Sequence, residues 1–343
     1  MVYIRLNCTE ITNDFLRCIK EYEYLYDFEN IMLVITLITS IFGMAFNSVS
    51  TYIFFTSKNL NFRFLQLVKY FNLNSLLTNV NIFILTIVYL TTYQTHYRSN
   101  FGNFFDDIHW GYYFTHAYLF FYVTFFSVSG VLDIFIVFDR IQIMNPNIKF
   151  LKSLSARIIF FSVLIYCCIL NMSVNLSRKV SVTTIEFENK TVQVYEYKLR
   201  KFSSQGIIML LIYFSNFIRD LVPFFLEIIT NAYLVSLTYT FIKKKSSLNS
   251  NPKQIAFNLT QINNAKMAFV ISLLSSTIHV MNFSLLIILI TLPSEAYWIG
   301  GNVSLGIMNT RHAFSIFIYL KLNKKFRQNF FRLMPKWFEG YFQ

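Results

Sequence analysis

Seven long apolar stretches constrain this sequence more than any other feature. A helix needs about 20 consecutive apolar residues to cross the hydrocarbon core of a bilayer. Backbone polar groups find no water there, so each stretch must satisfy its own backbone hydrogen bonds as a helix. The predicted membrane-spanning helices cover residues 31–56, 64–90, 112–138, 156–174, 207–242, 267–292 and 298–320. The predicted fold is therefore an all-α membrane protein, a seven-transmembrane helix bundle.

Composition agrees with the lipid bilayer as a main partner. Hydrophobic residues make up 55% of the chain and charged residues only 14%, whereas soluble domains average about 25% charged residues. The net charge of +13 is compatible with nucleic-acid binding, but the basic residues form short clusters beside the apolar stretches. Such clusters are typical of loops that set membrane orientation and contact anionic lipids. No nucleic-acid partner is predicted.

The Lys and Arg residues of the loops predict the orientation. More of them fall in the loops that lie inside when the N-terminus is outside, although the second outer loop is also basic. The prediction is an extracellular segment at 1–29, the bundle at 30–322, and a cytoplasmic amphipathic helix and tail at 323–343. In that tail, Phe326 and Phe330 begin a series of aromatic residues at helical spacing among basic residues, which is typical of an interfacial helix. A plain basic stop would not require that spacing.

Glycosylation sequons and cysteines bear on the same orientation. The sequons at Asn7 and Asn189 fall in predicted outer segments and are the predicted glycosylation sites. A third sequon, at Asn258, falls in a predicted inner loop and should carry no glycan. Cys8 and Cys18 lie in the N-terminal segment, where an oxidising compartment would permit a disulfide between them. A pair of free thiols is the other interpretation.

Polar residues within or close to the predicted spans are candidate ligand contacts, because such residues are costly in lipid. The candidates are Arg219, Asp220, His279, Asn282 and His116. Arg219 and Asp220 are adjacent and point about 100° apart on a helix, so they need not pair with each other. Interhelical pairing without ligand contact is the alternative for both, and a satisfied core histidine is the favoured interpretation of His279. No sequence cluster has the density of a metal site, and no cofactor is predicted.

Three stretches resemble motifs of rhodopsin-like G-protein-coupled receptors. Phe138-Asp139-Arg140-Ile141 ends the third predicted span and resembles the family's Asp-Arg-Tyr motif. Residues 74–79 resemble Asn-Leu-Ala-x-Ala-Asp, with Asn79 in place of the acid. Residues 319–327 are similar to the family's passage from the seventh span into a membrane-surface helix. The resemblance covers the whole topology but few motif positions, as in a divergent invertebrate chemosensory or peptide-receptor-like branch.

Other motifs of that family are changed. No cysteine stands near Thr115, where the family places one half of its usual disulfide. The sixth span lacks Cys-Trp-x-Pro, and the seventh reads Ser315-Ile316-x-x-Tyr319 in place of Asn-Pro-x-x-Tyr. Pro223 does match the proline of the fifth span.

The resemblance implies a plasma-membrane receptor without enzymatic activity. It would bind an extracellular ligand, either a peptide or a small chemosensory molecule, and activate a heterotrimeric G protein. The matching positions for G-protein coupling are Asp139 and Arg140, helped by the basic residues Lys243, Lys244 and Lys245. The alternative function is a seven-span ligand-gated channel or transporter, and insect-type chemoreceptors of that kind have the N-terminus inside. A membrane-embedded hydrolase would need an intramembrane catalytic cluster, and none stands out in the sequence.

A possible switch lies in the middle of the predicted bundle. In the resembling family, three helices converge on a sodium ion held by the acid that Asn79 replaces here. The residues predicted to form the intramembrane switch are Asn79, Ser129, Asp133, Arg311, Ser315 and Tyr319. An unpaired Arg or Asp at mid-membrane costs about 2.5–3.5 kcal/mol, so we predict that the Arg311 guanidinium takes the ion's place with Asp133 as counter-ion. The alternative is an Arg311 that meets water or backbone carbonyls in an open cavity.

Overall fold

Long helices make up most of the structure. The computed structural model describes residues 23–57, 60, 62–95, 104–105, 109, 112–148, 153–176, 178–187, 190–199, 214, 217–246, 252–291 and 294–333. Within these ranges there are seven long helices: α1 (Glu23–Thr56), α2 (Arg63–Thr95), α3 (Leu119–Met144), α4 (Ala156–Leu176), α5 (Val222–Ser246), α6 (Pro252–Thr291) and α7 (Ser294–Leu322). A shorter helix, α8 (Lys324–Leu333), follows α7. Each predicted span overlaps one of the seven long helices, although several of these helices extend beyond the predicted bounds.

Local sequence explains several helix ends. Helix α6 begins at Pro252. Proline is well suited to the first position of a helix, because the backbone N–H that it lacks would have no partner within the helix there. The predicted start of this helix at residue 267 is therefore too late, because hydropathy detects only the part of a helix that is apolar. Asn258, predicted to lie in a loop, is buried within α6. Asn323 caps α8 by accepting a hydrogen bond from the backbone N–H of Phe326 at 2.9 Å.

A β-hairpin interrupts the helical fold, and the sequence analysis did not predict it. Strands β2 (Arg178–Phe187) and β3 (Lys190–Leu199) pair antiparallel, and the two-residue strand β1 (Phe104–Phe105) pairs with the other edge of β3. Alternating β-branched residues in β2 and β3 carry the period of a strand. This pattern is not a continuous apolar run and so does not resemble a membrane span. Asn189, between the two strands, lies outside the described residues.

Four helical stretches of the described residues are long and apolar enough to cross a membrane: Ile31–Thr56, Arg63–Val88, His116–Met144 and Phe217–Lys243. The stretch Ala156–Met172 is also apolar but shorter. The last two of the four extend into α3 and α5 from π-helical turns at Tyr113–Tyr118 and Phe217–Leu221. These apolar helices indicate a membrane-associated protein.

The surface of the described residues carries many large apolar side chains, while polar side chains are buried beside the apolar core. Large apolar side chains point outward; Ile165, Ile169 and Ile229 are 60%, 69% and 63% exposed. Polar residues such as Asn47 and Ser75 are fully buried between helices. Contiguous exposed apolar surface on this scale requires an apolar partner, and lipid is the partner that apolar helices suit.

The helices pack around α3. Helix α3 contacts α2, α4, α5 and α6, while α7 contacts α1, α2 and α6. Helix α8 folds back on the bundle through Phe326, which is fully buried against the rings of Phe54 and Tyr319. Lys324 and Arg332 on the same helix are exposed. The predicted amphipathic helix is thus confirmed over Lys324–Leu333.

Candidate functional site

A buried ion pair joins α3 to α7 in the middle of the bundle. The Arg311 guanidinium donates a hydrogen bond to Oδ2 of Asp133, and both side chains are almost fully buried. The guanidinium also lies 5.3 Å from the ring centroid of Phe71 on α2, within range of a cation–π interaction. The predicted pairing of Arg311 with Asp133 is therefore present in the structure.

A second buried acid lies close to this pair. Glu227 of α5 is fully buried and accepts a hydrogen bond from Ser276 Oγ of α6 at 2.8 Å. It interacts electrostatically with both Asp133 and Arg311. The sequence prediction did not place Glu227 in any site, although a charged residue inside an apolar run is itself a functional signal. His279, one of the predicted ligand contacts, lies beside Glu227 and under the ring of Phe126.

A polar layer between α2 and α7 contains a histidine that the sequence prediction missed. His312 is fully buried, and its Nδ1 lies 3.0 Å from Ser75 Oγ. Its backbone carbonyl accepts a hydrogen bond from Asn47 Nδ2 at 2.6 Å, which ties α7 to α1. Ser315 lies near this bond, with its Oγ 3.4 Å from Asn47 Oδ1. Ser315 thus contacts α1, one helical turn from Arg311.

Asn79 and Ser129 occupy separate places in the polar interior. The Asn79 amide donates to the carbonyl of Ser75 in its own helix, at 2.7 Å. A Cβ built on Gly43 of α1 would clash with Asn79 Oδ1, so Asn79 packs directly on the α1 backbone. Ser129 accepts a hydrogen bond from Asn74 at 2.7 Å and so joins α3 to α2. Asn79 therefore packs against α1, and its part in the switch stays a prediction.

Tyr319 joins three helices at the end of α7 that precedes α8. Its hydroxyl accepts a hydrogen bond from Asn72 Nδ2 of α2 at 3.1 Å, and the side chain is fully buried. Its ring contacts Phe54 of α1 and Phe326 of α8 edge-on, each with centroids 5.5 Å apart. A movement of α7 would therefore be transmitted to α8 through this ring.

The end of α3 carries a hydrogen-bonded charge network. Asp139 pairs with the neighbouring Arg140 and with Arg63 of α2, whose Nε lies 2.6 Å from Asp139 Oδ1. Arg140 is 3% exposed, and its Nη1 donates to Oε1 of Gln261 on α6 at 3.1 Å. The guanidinium also lies 4.2 Å from the ring centroid of Phe64. Arg140 is thus held between α2 and α6 and does not extend into solvent.

The basic residues predicted to assist coupling lie on α5. Lys243 is exposed near the end of that helix. The side chains of Lys244 and Lys245 lie outside the described part of the chain.

The predicted ligand contacts are in different environments. Arg219 lies in the π-helical turn before α5, half-buried, and interacts electrostatically with Tyr122 of α3. His116 lies in the turn before α3 and stacks on Tyr112 with centroids 5.9 Å apart. The side chains of Asp220 and Asn282 lie outside the described residues. The roles of these residues stay predictions.

The N-terminal predictions, namely the glycan at Asn7 and the pair Cys8 and Cys18, also fall outside the described residues. No group of three or more His, Cys, Asp and Glu side chains that could hold a metal occurs in the described ranges. Cys167 is buried and Cys168 half-buried in α4.

Comparison with known proteins gives no family: no family model matches the chain, and no curated protein matches its sequence significantly. The fold and the site define a mainly helical, membrane-associated protein with charged groups buried between its helices. Any finer assignment depends on the chemistry of those groups.

Proposed function

We propose that this protein is a divergent rhodopsin-like G-protein-coupled receptor, a seven-span bundle that binds an extracellular ligand and activates a heterotrimeric G protein. The observation that carries the proposal is the network at the end of α3. Arg140, which matches the arginine of the family's Asp-Arg-Tyr motif, bonds to Asp139 on its own helix and to Gln261 on α6. Because Arg140 is bonded to α6, it would be free to bind a G protein only after α6 moves away. This behaviour suits a protein with a closed and an open state.

The proposed orientation places the N-terminus outside the plasma membrane. Arg140, Lys243 and α8 then lie at the cytoplasmic side, and the β-hairpin of β2 and β3 lies at the extracellular side. This arrangement follows the excess of Lys and Arg in the predicted inner loops. The ligand, a peptide or a small chemosensory molecule, would enter from the side of the hairpin.

Activation in this proposal is a shift between two packings of the bundle. A ligand can shift the equilibrium only by its difference in affinity for the two states. The contacts that differ would be those of Arg140, because breaking its bond to Gln261 exposes a guanidinium that is otherwise buried. The ion pair of Arg311 with Asp133 would hold α7 against α3 and so belong to the switch.

The test does not require knowledge of the ligand. Full-length protein is expressed in cells carrying second-messenger reporters for the main G-protein classes, and surface expression is measured in parallel. Asp139→Asn and Gln261→Ala each remove a partner of Arg140, so both should raise basal signalling above the wild-type level. Adding Arg140→Ala to either variant should abolish the increase.

Arg157→Ala provides the matched control, since Arg157 is an exposed arginine at the start of α4 and its loss should leave basal signalling unchanged. Surface-expressed Asp139→Asn and Gln261→Ala variants that show no change in any reporter would contradict the receptor proposal. Signalling that persists in Arg140→Ala would mean that the network of Asp139, Arg140 and Gln261 only stabilises the fold and does not couple to a G protein.

A further inference from the structure

Lys69 is a charged residue on the apolar outer face of α2. Its side chain is half-buried, and four exposed apolar residues follow it on the same side of the helix, within about 80° of its direction: Leu77, Val80, Ile84 and Ile87. This face belongs to one of the four stretches that are apolar enough to cross a membrane, and lipid is the partner that suits it. A lysine on such a face is costly unless its ammonium group reaches the interface or finds a partner.

Two aromatic rings hold the ammonium group of Lys69. Its Nζ lies 3.4 Å from the ring centroid of Phe55 on α1 and 5.8 Å from that of Tyr70 on α2. Both distances are within the range of a cation–π interaction. Phe55 is 51% exposed, and the ring of Tyr70 stacks on Phe160 of α4 with centroids 4.8 Å apart. The rings therefore keep the ammonium group at the surface of the groove between α1 and α2.

This groove lies at the end of the bundle that carries α8. Phe55 is the residue before the last one of α1, and Ser57, two residues later, accepts a hydrogen bond from Asn329 of α8 at 2.9 Å. An amphipathic helix such as α8 is of the kind that lies in the interface of a bilayer, at the depth of the headgroups. The ammonium group of Lys69 is therefore within about one helical turn of that depth.

The helices around the groove provide no acid for Lys69. The sequence contains no Asp or Glu from residue 30 to residue 105, which includes α2 and most of α1, and none from 140 to 185, which includes α4. Asp139, at the end of α3, already bonds to two arginines. An ammonium group has three N–H donors, and a ring face attracts the cation without supplying a negative charge. Lys69 thus has a fixed position and unused capacity for an anion.

We propose that Lys69, held between Phe55 and Tyr70, binds the phosphate of an anionic phospholipid whose acyl chains lie along the exposed apolar faces of α1 and α2. One lipid molecule supplies both an anion at the depth of the ammonium group and an apolar partner for the residues beyond it. Basic groups between membrane helices bind lipid headgroups in this way. A soluble acidic partner would supply the charge but not the apolar part. The proposal requires that these helices lie in lipid, and it does not depend on signalling activity.

The experiment uses purified full-length protein in nanodiscs of phosphatidylcholine that contain a minor fraction of phosphatidylglycerol. Native mass spectrometry of the protein released from the discs counts the lipids of each class that stay bound. Wild type should retain phosphatidylglycerol in preference to phosphatidylcholine. Lys69→Met should lower that preference about fivefold, which is the factor expected for one lysine beside an anionic membrane surface.

Two further variants separate a bound phosphate from a general effect of positive charge or of folding. Lys69→Arg keeps the charge and should keep the preference for phosphatidylglycerol. Lys266→Met is the matched control, because it removes an exposed lysine from a different helix, α6, and it should leave the preference unchanged.

Three results would overturn the proposal. Equal losses in Lys69→Met and Lys266→Met would mean that anionic lipid is attracted only by the overall positive charge. A loss in Lys69→Arg as large as that in Lys69→Met would assign the effect to local packing. Wild-type protein that retains the two lipids in the proportion of the nanodisc would exclude the site, and this result needs no variant to fold.

Discussion

Removing one member of the Arg311–Asp133 pair should lower the free energy of unfolding by far more than removing both members does. The two side chains are almost fully buried and bonded to each other. Arg311→Ala leaves a carboxylate without its counter-ion, and Asp133→Ala leaves a guanidinium without one. Breaking a buried pair in this way costs about 3–5 kcal/mol, whereas replacing both members with apolar residues is often close to neutral.

The two single variants should also differ from each other. A buried carboxylate can take up a proton and become neutral, but a guanidinium cannot lose one in a protein. Asp133→Ala should therefore cost more than Arg311→Ala. Glu227 reduces the difference, because it also interacts electrostatically with Arg311 and can take part of the role of counter-ion. In a Glu227→Gln background the asymmetry between the two variants should increase.

The assay is a double-mutant cycle on the free energy of unfolding, measured by equilibrium unfolding in mixed micelles. The double variant should be no less stable than the worse single variant, so that the coupling between the two sites approaches about 3 kcal/mol. Thr310→Ala is the control, since Thr310 is exposed beside Arg311 on α7 and should change stability by less than about 0.5 kcal/mol. Additive losses, with coupling below about 0.5 kcal/mol, would refute the idea that the residues act as a pair.

Two further predictions concern topology and the docking of α8. Glycan should be attached at Asn189 and not at Asn258, as judged by the gel shift of single-sequon variants after deglycosylation; a glycan at Asn258 would reverse the proposed orientation and contradict the receptor function with it. Phe326→Ala should lower the free energy of unfolding by about 3–5 kcal/mol, as expected for a fully buried phenylalanine, and the exposed Lys324→Ala should change it by less than about 0.5 kcal/mol. Equal effects of the two α8 variants would mean that Phe326 does not anchor α8.

The features that could be predicted from the sequence are those determined by the residue pattern within a single helix. Each long apolar run contains a helix, and the amphipathic spacing after residue 323 predicts α8, because both signals are periodic along the chain. The start of α6 at Pro252 and the β-hairpin were missed, since neither is apolar enough to appear in a search for membrane spans. The alternation of β-branched residues in β2 and β3 is the strand signal that the sequence carries.

The buried contacts could be predicted only for charged residues, because a buried charge has few possible partners. Arg311 and Asp133 were paired from the sequence because each is costly in lipid and each needs an opposite charge. Asn79 and His312 are neutral, and a neutral amide or imidazole can be satisfied by many neighbours. Which helix they contact depends on how α2 and α7 are rotated about their own axes. The sequence pattern does not determine that rotation precisely enough to say which neighbour each side chain faces.

The long separation of the Arg311–Asp133 pair along the chain has a consequence for biosynthesis. The two residues are 178 positions apart, and ribosomes add about 5–20 residues per second. In the proposed seven-span receptor, Asp133 would enter the membrane roughly 10–35 s before its counter-ion has been made. During that interval α3 would carry an acid without its counter-ion, so we expect it to remain beside the insertion machinery, where water can reach the carboxyl group. A chain that terminates before α7 would keep an aspartate without its counter-ion, and the cost of that acid in lipid would disfavour the insertion of α3.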